Sequence, residues 1–133
     1  MQKNVKEILG KRLDRLLQKA RVDTSVCAVI LFGSVAKGVN NSLSDVDVCL
    51  VLNDKLDFLT MSLKKLEYLS LVDYDVSIFQ QLPLYIRRRV IEEGDVLLCR
   101  SEERLYELVF KTIKEFGDFK PIYYKYLEGV PHA

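Results

Sequence analysis

Asp45 and Asp47 are separated by a single residue and follow Gly33 by twelve and fourteen positions. In an extended strand residues i and i+2 point to one face, so the two carboxylates would project together. Held that close and both ionised, they repel each other unless a cation neutralises them. Oxygen donors of this kind suit a hard divalent ion such as Mg²⁺ or Mn²⁺, which retains waters and binds phosphates as well.

Upstream, Leu31-Phe32-Gly33-Ser34-Val35-Ala36-Lys37-Gly38 ends an apolar run in a turn. Gly33 permits close backbone approach. Ser34 brings a hydroxyl and an amide to the start of a short helical turn, whose N–H groups and dipole attract anions. Lys37 would add a point charge on a phosphate, and Ser42 or Ser44 a hydrogen bond. A third carboxylate would come from Asp75 or from Asp73, both on one face of a later strand. Three carboxylates at one sheet edge would hold two cations about 3.5–4 Å apart, as in in-line phosphoryl or nucleotidyl displacement. The plainer alternative, solvated carboxylates in a strand-initiating turn, fails to account for the Gly-Ser turn beside them. A Gly-Ser pair alone is weak; joined to Ser-Asp-x-Asp at this distance, it names a reaction class.

The elements that must position these residues are legible in the periodicity. Val5, Ile8, Leu9, Leu13, Leu16 and Leu17 recur at helical spacing, which predicts an amphipathic helix over 1–20. The short apolar runs Val26 to Phe32 and Val46 to Leu52 read as buried strands. Leu56, Leu59, Leu63, Leu66 and Leu69 mark a helix over 55–70, and alternation over 71–79 marks a third strand. Pro83 opens a helix that Gly94 closes. Val96 to Cys99 is a fourth strand, and Ser101-Glu102-Glu103 starts a last helix reaching about Phe116. A helix between strands two and three predicts a parallel, right-handed crossover, and the short link between strands one and two allows antiparallel neighbours. The expected fold is α/β (α+β): a mixed four-stranded sheet flanked by helices. It forms one domain over 1–133, with the catalytic sheet core over 26–99 and a C-terminal helical segment over 101–128.

Composition narrows the rest. The 133 residues carry 20 basic and 19 acidic side chains, a formal net charge of +1. That argues against direct nucleic-acid binding, which needs a concentrated cationic face. No apolar run approaches the ~20 residues of a membrane span, so a cytoplasmic protein with no membrane association is expected. Cys27, Cys49 and Cys99 lie at scattered positions within apolar runs and read as buried, unreactive thiols. Arg87, Arg88 and Arg89 read as a solvated helix face, and His132, the only histidine, stands next to the C-terminus. Tyr123, Tyr124 and Tyr126 with Phe116 and Phe119 suit either core closure or a partner surface, including a homo- or hetero-oligomer.

Gly33-Ser34-Val35-Ala36-Lys37-Gly38 followed by Ser44-Asp45-Val46-Asp47 resembles the signature of the nucleotidyltransferase superfamily with the DNA polymerase β-type palm. The small size, and the ending Asp118-Phe119-Lys120-Pro121 with its tyrosines, resemble the minimal nucleotidyltransferase (MNT) branch. The resemblance implies a polymerase β-like palm with Asp45 and Asp47 binding both metal ions, Mg²⁺ or alternatively Mn²⁺. The third ligand falls to Asp75, whose distance to Leu82-Pro83 matches the family spacing, with Asp73 as the fallback. It also implies Gly33 and Ser34 at the triphosphate of ATP. Many such proteins pair, as antitoxins, with a HEPN-type toxin, a small helical RNase that the MNT member can adenylylate on a tyrosine hydroxyl. Two alternatives stand beside that implication. One is nucleotide transfer to a small molecule of the aminoglycoside type; the other is a non-catalytic antitoxin acting by contact alone.

Overall fold

The computed structural model describes residues 2–32, 47–53, 56–72 and 75–116. Gly33, Ser34, Lys37, Ser42, Ser44, Asp45, Asp73 and the C-terminal tyrosines lie outside the described residues.

The chain runs α1 (Gln2–Val22), β1 (Val26–Phe32), β2 (Asp47–Leu52), α2 (Phe58–Leu69), β3 (Asp75–Ile78), a 3₁₀ turn (Phe79–Gln81), α3 (Leu84–Glu93), β4 (Asp95–Cys99) and α4 (Glu102–Phe116). The four strands form one sheet in the order β3-β2-β1-β4. β1 is antiparallel to β2, from Val26↔Leu52 to Phe32↔Asp47, and antiparallel to β4 on its other side. β2 and β3 are parallel, as a helical crossover requires. This is the mixed sheet expected from the sequence, with β1 and β2 as its interior strands.

Both faces are covered, which is why the central strands are apolar without alternation. Leu16 and Ala20 of α1 and Tyr68 of α2 pack on one face with Val29, Val48, Leu50, Val76 and Ile78. Val90 and Ile91 of α3 and Leu105, Val109 and Ile113 of α4 pack on the other with Ala28, Ile30, Cys49 and Val51. The cysteines sit in this second core. Burial pushes the thiol of Cys27 up to about 11 and that of Cys49 to about 12, so both stay protonated and inert.

The rotation of α2 is set by polar anchors. Asp57 caps its N-terminus, its Oδ1 accepting from the Thr60 N–H at 2.7 Å. At the other end the Tyr68 hydroxyl donates to Asp23 Oδ2 at 2.9 Å. Asp23 also accepts from Lys64 Nζ at 3.0 Å and from the N–H and hydroxyl of Ser25 at 3.1 and 2.6 Å. Arg100 closes the neighbouring end of α1, donating to the carbonyls of Ala20, Arg21, Asp23 and Val26. With Tyr68 directed inward, Leu59, Leu63 and Leu66 turn out to solvent, 67%, 58% and 62% exposed. Helical period alone does not say which face of the helix is buried.

β3 is shorter than the expected strand over 71–79. It ends at Ile78 because the Gln80 side chain takes over the pairing with β2. Its Oε1 accepts from the Leu52 N–H at 3.2 Å and its Nε2 donates to the Leu52 carbonyl at 2.8 Å. Gly94 between α3 and β4 is required by space: a Cβ there would collide with Ile30 Cγ2 and with the Val90 carbonyl oxygen.

Candidate active site

Asp47 opens β2 and Asp75 opens β3, and the parallel ladder puts them directly in register. Residues in register on adjacent strands point to the same face, about 5 Å apart at the backbone. One step along, Cys49 is opposite Ser77, and Cys49 belongs to the α3–α4 core. Alternation therefore puts Asp47 and Asp75 on the α3–α4 side of the sheet, at the end where the core stops. Asp47 is half-buried and Asp75 exposed.

The two carboxylates share a cavity of about 390 Å³ with Phe32, Lys65, Leu69, Val76, Ser77 and Leu82. Phe32 is opposite Asp47 and immediately precedes Gly33 in the chain. The edge where β1 ends and β2 and β3 begin thus carries Phe32 and the two carboxylates together. Two aspartates in register, with the Ser77 hydroxyl in the same cavity and Lys65 its one basic lining residue among those described, are oxygen donors of the kind that suits a hard divalent cation. Among the described residues no three His, Cys, Asp or Glu side chains gather into a metal-binding group, Asp45 and Asp73 being outside that set.

The sequence reading missed Lys65 and Ser77 as cavity residues. Ser77 was findable, since it lies at i+2 from Asp75 on the same strand face. Lys65 was not: it follows Lys64, and nothing local distinguishes one lysine of the pair from the other. Arg88 and Arg89 stand on the solvated helix face expected of the arginine run. Arg88 and Arg89 bridge to Glu92 and Glu93 one turn on. Arg87 differs, donating to the Leu82 carbonyl at 3.1 Å and reaching Glu115 on α4 at 3.3 Å. It lines a separate cavity of about 400 Å³ with Arg104, Glu107 and Lys111.

Residues 12–103 match the family described as Polymerase beta, Nucleotidyltransferase. A protein of Methanocaldococcus jannaschii named "Putative protein adenylyltransferase MJ1547" is 35% identical over 97 residues, covering 73% of this chain and 75% of that protein. The fold is similar to a chain in the crystal structure of a toxin-antitoxin with AMP-PNP, at a TM-score of 0.59 and 21% identity, over 80% of this chain and 86% of the other. It is also similar to a chain in the complex of tri-AMPylated Shewanella oneidensis HEPN toxin with MNT antitoxin, at a TM-score of 0.54 and 19% identity, over 88% and 87%. At such identities the structural likeness speaks for the fold. No helix among the described residues is long and apolar enough to cross a membrane.

Proposed function

The chain belongs to the polymerase beta nucleotidyltransferase family, and from that premise we propose that it transfers AMP from ATP to a hydroxyl of a partner protein. The observation that carries the reading is the in-register pair Asp47↔Asp75 at the rim of one cavity. The partner in this reading is a HEPN-type toxin, this chain is its antitoxin, and both act in the cytoplasm. The relative named for protein adenylyl transfer and the fold likeness to a complex with an AMPylated toxin support that choice of acceptor.

Asp47 and Asp75, together with Asp45 two positions before Asp47 in the chain, would hold divalent cations, Mg²⁺ in the first place. Such ions, when bound, supply charge neutralisation and Lewis acidity at the phosphates. Gly33 and Ser34 offer the triphosphate backbone N–H groups and a hydroxyl, with Lys37 and Ser44 as further contacts. The acceptor oxygen bonds to the α-phosphorus as the bond to the α–β bridging oxygen breaks. Pyrophosphate leaves with that electron pair, and the hydroxyl proton passes to the Asp75 carboxylate. Most of the acceleration comes from alignment and charge stabilisation.

The test is incubation of the protein with ATP labelled at the α-phosphate, Mg²⁺ and a HEPN-type partner. Label should pass to the partner and vanish with Asp47→Asn. A tight complex that wild-type protein never labels would replace this reading with a contact-only antitoxin.

A further inference from the structure

We infer that Lys65 is the acceptor-side cation of the site, contacting the attacking hydroxyl rather than the nucleotide. The inference rests on the nucleotidyl-transfer reading and adds to it a residue, its position and its role.

Lys64 and Lys65 are adjacent on α2 but serve different places. The Lys64 ammonium is held between Asp23 and Glu67, both at 3.0 Å. One residue on, the helix has turned by about 100°, and Lys65 lines the cavity of Asp47 and Asp75 instead. α2 packs on the opposite face of the sheet from the carboxylates. β3 is an edge strand, and the cavity extends to the α2 side of it, where Leu69 and Val76 line it along with Lys65. Among the described residues Lys65 makes no ion pair, unlike Lys64.

Strand order decides which substrate it meets. Across the rim the sequence is β1 with Phe32, β2 with Asp47, β3 with Asp75, and then Lys65. On the reading proposed above Gly33 and Ser34, which follow Phe32 in the chain, receive the triphosphate, and the departing pyrophosphate then lies on the β1 flank. In-line displacement then brings the acceptor in from the β3 flank. Lys65 borders that entrance. Its ammonium stabilises the charge that grows on the acceptor oxygen and lowers the pKa of the hydroxyl, while the hydroxyl proton goes to Asp75.

The experiment compares wild type with Lys65→Met and Lys65→Arg, using the full chain, a fluorescent ATP analogue with Mn²⁺, and the HEPN-type partner as acceptor. Nucleotide affinity of Lys65→Met should stay within about twofold of wild type, while its transfer kcat falls on the order of 10²-fold. Its kcat–pH profile should rise about one unit later, and Lys65→Arg should restore most of the rate at the wild-type pH. A Lys65→Met protein that transfers at the wild-type rate overturns the assignment. So does one whose nucleotide affinity falls tenfold or more, which would place Lys65 on the triphosphate. If wild-type protein binds nucleotide but labels no partner, the acceptor reading falls and takes this assignment with it.

Discussion

Asp23 and the Asp47–Asp75 pair are the same chemical group in opposite circumstances. Asp23 accepts from Ser25 twice, from Lys64 and from Tyr68, donors drawn from the α1–β1 turn and from α2. Burial by itself would push its carboxyl up; hydrogen bonds from Ser25, Lys64 and Tyr68 outweigh that and hold it at about 2. Burial and the same bond to Asp23 push the Tyr68 phenol up, so it stays a donor. Asp47 instead faces another carboxylate across a parallel ladder, in a cavity open to solvent. The contrast separates two uses of an acidic side chain. One that the fold surrounds with donors ties elements together; two that the fold sets in register at a cavity rim suit the cation-holding role proposed above.

The strongest way to break this comparison is to neutralise each member. Asp75→Asn should cut nucleotidyl transfer by about 10²–10³-fold in a steady-state assay. Its urea midpoint should be unchanged or slightly raised, since a like-charge contact is removed. Asp23→Ala should do the reverse. Leaving Tyr68 without its acceptor and Lys64 with Glu67 alone should cost about 2 kcal/mol in urea unfolding, with transfer per folded molecule unchanged. The acid limb sharpens that result. Because the folded pKa lies near 2, below the ordinary 3.8, the Asp23 contribution is complete above that ordinary value and drains away as pH falls toward 2. The stability gap between wild type and Asp23→Ala should therefore close across that window, as followed by circular dichroism. Equal gaps at both ends would mean Asp23 is not the titrating anchor.

Smaller effects test whether the rim tolerates damage to the scaffold. Gly94→Ala forces a methyl against Ile30 and the Val90 carbonyl, and should cost about 1–3 kcal/mol in the same unfolding assay with little change in ATP affinity. Tyr68→Phe removes a single donor from Asp23 and should cost about 1 kcal/mol. A larger loss there would make the phenol, rather than Lys64, the principal partner of the hub.

Much of this was legible in the chain. The continuous apolar runs gave β1 and β2 and helical spacing gave α1 and α2, because burial leaves a local periodic trace, while the Ser101-Glu102-Glu103 start gave α4. The Gly-Ser and Asp-x-Asp motifs stood out because phosphate and cation binding need short, local residue sets. The hub did not stand out: Asp23, Ser25, Lys64 and Tyr68 are ordinary polar residues until α2 folds back against the end of α1. Nor did the outward direction of Leu59, Leu63 and Leu66, since a periodic stripe fixes a face without saying what it meets.

From the sequence alone come the element types, the alternation that sends Asp47 and Cys49 to one side of a strand, and the family. Those properties depend on neighbours a few bonds away. That Asp75 lands opposite Asp47, that β3 is an edge, and that Lys65 rather than Lys64 borders the cavity were decided by tertiary structure. Strand register and helix rotation follow from which distant surfaces pack together, and a slip of one residue would send every side chain to the other face.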